Sequence, residues 1–114
     1  MTISDLCTLV NGTVVCGANR MNESVKYAFA SDLMSDVLTV KTNQFILITG
    51  LANIQSIRTV EMSDTPFLLL CRDKEVTEDM RELAEESNIL IIKSPYSLFK
   101  CAGILFSAGL KPIY

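Results

Sequence analysis

Residues 44–50, QFILITG, decide how this chain folds. From Phe45 to Ile48 every side chain is bulky and apolar, with no alternation of polar and apolar positions, and Gly50 ends the run at once. A strand with one wet face alternates; a strand that is apolar throughout belongs to a parallel sheet covered on both faces. Two further runs have the same character, PFLLLC at 66–71 and NILIIK at 88–93. Helical periodicity fills the gaps between them. Asn53 is placed to cap a helix reaching about Met62, with Ile54, Ile57 and Val60 inward. Thr77 is placed to cap EDMRELAEES, with Met80, Leu83 and Ala84 inward. Strand–helix–strand repetition of this kind gives right-handed crossovers.

The flanks extend the pattern. Thr2 with Asp5 has the form of a helix start before Leu6, Leu9 and Val10, and Asn11–Gly12 turns the chain into TVVC, residues 13–16. Gly17 to Glu23 reads as a loop, and SVKYAFA, residues 24–30, as a strand. Ser94 reads as a cap with Pro95 at the first helical position; Leu98, Cys101, Ala102 and Leu105 then follow at helical spacing. Gly109 and Pro112 end that helix. The expectation is a single domain over residues 1–114, a three-layer α/β/α structure with about five mainly parallel strands.

Composition narrows the function. Hydrophobic residues make up 49% of the 114, and the mean hydropathy is +0.33, which calls for a doubly covered sheet, an interface with another copy, or both. No apolar run approaches the roughly 18 residues of a membrane span, and MTISDLC is unlike a signal peptide, so no membrane is involved and the cytoplasm is expected. The net charge of −3 without a basic stripe argues against nucleic acid. Histidine is absent, removing the commonest general base and metal ligand. Cys7, Cys16, Cys71 and Cys101 form no C-x-x-C pair and sit among apolar neighbours, as small buried hydrophobes do; the rival reading, a metal or iron–sulfur thiolate cluster, requires all four to converge.

One stretch resists a purely apolar account: KYAFASDLMSDVL, Lys26 to Leu38. It admits two readings. In one, Ser31 caps a helix with Leu33, Met34, Val37 and Leu38 inward, while Asp32, Ser35 and Asp36 face water. In the other, Ser31 and Asp32 stand at the carboxyl end of a strand, where open parallel sheets bind ligands, beside a second such end at TGLAN, Thr49 to Asn53. Gly50 there admits a ligand close to the backbone. The candidate ligand set is Lys26, Ser31, Asp32, Ser35, Thr49, Gly50, Asn53 and Arg58. Its carboxylate suits a ribose hydroxyl, an amine, a cation or a partner's arginine better than bare phosphate. No catalytic residue is nominated, and no cofactor or metal is implied.

VKYAFASDLMSDVL, ILITGLANIQSIRTVEM and SPYSLFKCAGILFSAGL together resemble the DRTGG domain family over nearly the whole chain. That family occurs in phosphotransacetylases, in regulatory inserts of CBS-containing pyrophosphatases and as short stand-alone proteins. It is related to the N-terminal domain of HPr kinase/phosphorylase, not to that enzyme's catalytic P-loop domain. The resemblance implies a parallel-sheet fold, a regulatory or dimerising role and no catalysis. Where the family motif reads Asp-Arg and Thr-Gly-Gly, this chain has Asn22–Glu23 and Lys26–Tyr27–Ala28; Ala30–Ser31–Asp32 does match. No G-x-x-x-x-G-K-[ST] sequence is present.

Two functions lead, ahead of a small enzyme, which would require a pocket with a strongly perturbed lysine or carboxylate. The first is a non-catalytic regulatory domain that forms a homodimer and binds a nucleotide-like ligand at the strand ends. The second is an interaction or assembly module for an unidentified protein partner, without a small-molecule site; the wording of residues 30–38 also resembles stand-alone forms associated with iron-hydrogenase genes, which links it to an iron–sulfur system.

Overall fold

The computed structural model describes residues 1–42, 44–63 and 65–114. Among these described residues six strands form one sheet: β1 (Thr13–Cys16), β2 (Tyr27–Ala30), β3 (Phe45–Thr49), β4 (Phe67–Leu70), β5 (Leu90–Lys93) and β6 (Lys111–Pro112), in the order β1-β5-β4-β3-β2-β6. Five helices cover it: α1 (Ile3–Leu9), α2 (Met34–Val37), α3 (Ile54–Met62), α4 (Glu78–Glu86) and α5 (Leu98–Ser107). Every strand pair is parallel except β1 with β5.

The apolar strands explain the layering. Along β3 all five residues are buried, with Phe45 and Leu47 on one face and Ile46 and Ile48 on the other. From β2 to β5 the chain steps across the sheet in one direction, so right-handed crossovers place α2, α3 and α4 on the same face. The packing agrees: Met34, Val37, Ile57, Val60, Met80 and Ala84 share one core with Leu47 and Leu68. The return from β5 to β6 runs the opposite way, and α5 therefore lies on the other face. There Cys101 and Leu105 pack with Leu6 and Val10 against Ile46, Leu69 and Ile92.

Local signals place most helix starts. Thr2, Asn53 and Thr77 are N-caps, their side chains accepting from the backbone N–H of Asp5, Ser56 and Met80. Two expectations are corrected. The cap of α5 is Ser97, which accepts from Lys100 N, not Ser94. Ser94 is fully buried and instead donates its hydroxyl to the Val10 carbonyl at 2.6 Å, a long-range bond that holds α1 to the end of β5. The strand count is six rather than about five, because Lys111–Pro112 does more than end a helix: it pairs with Tyr27 and Ala28. The segment read as the loop Gly17–Glu23 contains a short 3₁₀ turn at Ala18–Arg20. It leaves β1 through Gly17, whose φ of +81° and position 2.5 Å from Leu90 Cα (measured to an added Cβ) exclude a side chain.

The cysteines do not converge. Cys7, Cys71 and Cys101 belong to the α1/α5 core and Cys16 to the opposite one, and all four are free and buried. Among the described residues no group of three or more His, Cys, Asp or Glu side chains is arranged to hold a metal ion, and no helix is long and apolar enough to cross a membrane. Burial pushes the Cys7 and Cys16 thiols up. Its hydrogen bond to Cys101, together with burial, holds the Cys71 thiol well above the ordinary range. Each of these three raised thiols stabilises the fold below the unfolded value of 9.0 and ceases to do so as pH climbs past it, because the unfolded chain then releases protons that the folded chain retains. Cys101, lowered to about 7 chiefly by Cys71, acts with the opposite sign below pH 9.0, so the net loss begins above it. Ellman's reagent should therefore find none of the four thiols in the native protein and all four in guanidinium. The thermal midpoint should fall between about pH 9 and about pH 10; a native protein that titrates readily, or a flat midpoint, would contradict this packing.

Candidate functional site

The carboxyl ends of β2, β3, β4 and β5 meet along one edge of the sheet, since these strands are mutually parallel. At the first corner, Asp32 follows β2 and reaches over to β3. Its Oδ1 accepts from the Thr49 hydroxyl and from the Gly50 N–H, both at 2.7 Å. Thr49 is fully buried, and its hydroxyl also accepts from Leu51 N at 3.2 Å. Oδ2 of Asp32 accepts no hydrogen bond among the described residues, and the residue as a whole is exposed. The two strand ends proposed from sequence thus do meet, through a carboxylate.

Both readings of the Asp32 segment need amending. Ser31 is not a helix cap: α2 begins only at Met34 after Leu33, without a side-chain cap. The Ser31 hydroxyl instead accepts from Leu33 N at 3.0 Å and shapes the turn that aims Asp32 at β3. Gly50 is not forced by the fold, since an added Cβ would meet only the Asp32 carboxylate oxygens at 3.7 Å, an ordinary contact.

The other residues of the predicted set divide. Asn53 is next to the corner but is occupied as the cap of α3, accepting from Ser56 N at 2.9 Å. Ser35 lies exposed on α2 and joins none of the bonds of the corner. Lys26 precedes β2 and therefore sits at the opposite, amino edge, exposed beside Met1, Leu9 and Lys111. Arg58 is on the outer side of α3, where it lines a shallow groove with Asp79, Glu82 and Glu86 of α4. Position along a strand and side of a helix remove these last two from the site.

A second corner went unnoticed in the sequence. Chain leaving β4 goes to α4 on one face, and chain leaving β5 goes to α5 on the other, so the topological switch point lies between these strands. There Arg72 and Asp73 adopt φ of 65° and 51°, uncommon for residues with side chains. They are held by Arg72 N to Tyr96 O at 2.8 Å and Asp73 N to Ser94 O at 2.9 Å, and both side chains are exposed. Cys71 N donates to Thr49 O at 3.0 Å, joining this corner to the first. Neither glycine nor proline marks CRDKE, so no local signal announces the strained turn.

Chemically the edge offers recognition and no obvious reaction. Asp32 supplies an acceptor, Arg72 a cation and Asp73 a second acceptor. The Thr49 hydroxyl donates to Asp32 and accepts from Leu51 N, and it is fully buried, so it serves the structure of the corner. Cavities lie elsewhere: about 660 Å³ at the amino edge beside Met1, Lys26 and Lys111, about 490 Å³ on that edge around Arg20, Gln44 and Ser87, and an apolar one of about 250 Å³ between α5 and β2.

If Asp32 ties the two strand ends, Asp32→Ala should lower the unfolding free energy by about 1–2 kcal/mol, because a buried Thr49 hydroxyl loses its acceptor. Gly50→Ala should stay within about 1 kcal/mol of the parent. Urea denaturation measures both; an Asp32→Ala protein as stable as the parent would show that the carboxylate holds nothing.

No family model matches the chain, and no curated protein matches its sequence. Among solved structures, the chain is similar to the CBS and DRTGG domains of the regulatory region of Clostridium perfringens pyrophosphatase, a structure complexed with the activator diadenosine tetraphosphate. The TM-score is 0.71 at 11% identity; the match covers 98% of this chain and 48% of that one. The chain thus spans about half the length of this neighbour, and what the two share is the fold, which supports a DRTGG-like architecture.

Proposed function

We propose that the chain is a non-catalytic, DRTGG-like regulatory domain of the cytoplasm that self-associates and binds a nucleotide-like ligand along the carboxyl edge of its sheet. The observation that carries this reading is the Asp32 corner: an exposed carboxylate fixed by Thr49 and Gly50 through one oxygen, with the other accepting no hydrogen bond among the described residues. Such an oxygen accepts from paired ribose hydroxyls without moving, as acidic residues do at strand ends in other nucleotide-binding sheets. Arg72 at the switch point supplies the positive charge that a phosphate needs, which the acidic first corner lacks. The fold is shared with a regulatory region whose structure contains a nucleotide activator.

A second reading, an assembly module with an unidentified protein partner and no small-molecule site, is favoured by the exposed aromatics Phe99, Phe106 and Tyr114. Its link to an iron–sulfur system gains no support from the cysteines, which lie on both faces of the sheet.

Calorimetric titration with adenosine mono-, di- and tetraphosphates, beside adenosine alone, separates the two. Saturable binding is expected. Arg72→Ala should weaken the phosphorylated ligands by about 10-fold, the worth of one charge-assisted contact, and leave adenosine unchanged. Asp32→Asn should weaken all of them. Absence of saturable binding by every nucleotide, with recovery of a stable protein partner on the immobilised chain, would establish the second reading instead.

A further inference from the structure

We propose that two copies of this chain pair through helix α5, antiparallel and about a two-fold axis passing between Ala102 and Gly103. This rests on the self-association proposed above and names the face that carries it.

The helix has two apolar sides. Cys101 and Leu105 are fully buried against the sheet, yet Phe99 and Phe106 on the outward side are 89% and 67% exposed. A helix at the surface of a folded domain ordinarily turns polar residues outward. The one basic or acidic residue of α5, Lys100, is drawn aside, its ammonium 3.8 Å above the Tyr96 ring. Tyr114, 82% exposed, enlarges the patch through its edge-on contact with Phe29 at 6.0 Å. Between α5 and β2 lies the apolar cavity of about 250 Å³, with Phe106 and Ala102 on its wall.

Gly103 is the clue to what covers this face. Glycine in a helix interior is destabilising relative to alanine. Nothing in the fold calls for it, because an added Cβ would find no atom within 4 Å. A second helix crossing at this point would require it. The spacing identifies that helix as another α5: Phe99 and Phe106 lie three and a half residues either side of the midpoint between Ala102 and Gly103. That is about 5 Å along the axis in each direction. In an antiparallel pair centred there, Phe99 of each copy meets Phe106 of the other beside the cavity, while the small residues let the axes approach. A closed, isologous contact of this type repeats the same patch on both sides. A different partner would have no need of that mirrored spacing.

The area suffices. An aromatic side chain buries about 150–250 Å², so three mostly exposed aromatics from each copy bring the total to roughly 1,000 Å². That is the lower end of what specific protein pairs bury.

Sedimentation velocity over a concentration series, with the parent chain, Phe99→Asp and Gly103→Arg, tests this. Phe99 is exposed and position 103 faces open space, so both variants should keep the native fold, as circular dichroism would show. Each should weaken the dimer by about 30-fold or more, as loss of a central anchor does. Gly103→Cys, with its two thiols beside the axis, should give a covalent dimer on mild oxidation, since the four native cysteines are buried. A parent dimer that survives both substitutions and fails to cross-link through Cys at 103 would overturn this face while leaving self-association intact. A parent that stays monomeric throughout would overturn the self-association as well, and the exposed aromatics would then belong to a different protein partner.

Discussion

A strand that is apolar on both sides cannot face water on either, and this constraint organises the molecule. β3, β4 and the first three residues of β5 bury every side chain, so the chain must supply helices to both faces. With crossovers of fixed hand, a chain that progresses in one direction can cover only one face; the second is reached by reversing. The long return from β5 to β6 is that reversal, and it creates the switch point at the carboxyl ends of β4 and β5. The position of the candidate edge is thus a consequence of how the core is covered. The topology, and not the polar residues on that edge, locates it.

The edge itself is held by bonds that cross between neighbouring strand ends. Asp32 ties β2 to β3, Cys71 N ties β4 to β3 through the Thr49 carbonyl, and Arg72 and Asp73 tie β4 to the segment after β5. Unpaired backbone groups at strand ends are costly when buried, and here they are satisfied locally, one strand by the next. Two non-glycine residues with positive φ are retained in that arrangement. Strain of this kind persists where the surroundings over-determine it, and the two bonds to Tyr96 O and Ser94 O are such surroundings.

Much of the fold was legible because local and global signals agree. The continuous apolar runs at 45–49 and 67–70, and the caps at Thr2, Asn53 and Thr77, stand where the pattern puts them. The failures have separate causes. Ser94 has the ideal local setting for a cap, yet Val10, distant in sequence, takes its hydroxyl and moves the cap to Ser97. Lys111–Pro112 reads as a terminator, and is a strand only because the end of β2 lies beside it. Of the site, Asp32, Thr49 and Gly50 were legible from strand direction alone. The same rule, applied strictly, would have excluded Lys26, which precedes its strand. Arg58 required knowledge of which side of α3 faces α4. Arg72 and Asp73 required the order of the strands, which no local pattern contains.

The hydrogen bonds of the edge also relate it to α5. Tyr96 accepts from Arg72 N, and its ring lies beneath the Lys100 ammonium; Ser97 caps the helix one residue later, and Phe99 follows. Ser94 receives Asp73 N on its carbonyl and gives its hydroxyl to Val10 of the α1 end. Cys101 of α5 donates its thiol to the Ser94 hydroxyl at 3.5 Å, adding a further link between the helix and the residue that receives Asp73 N. The β4–α4 turn and the first turns of α5 are therefore one packed unit, in which neither piece shifts without disturbing bonds of the other. On the proposed reading this unit is where a ligand would act, since only contacts that differ between two arrangements move an equilibrium, and the Arg72 guanidinium is the charged group carried on the turn itself.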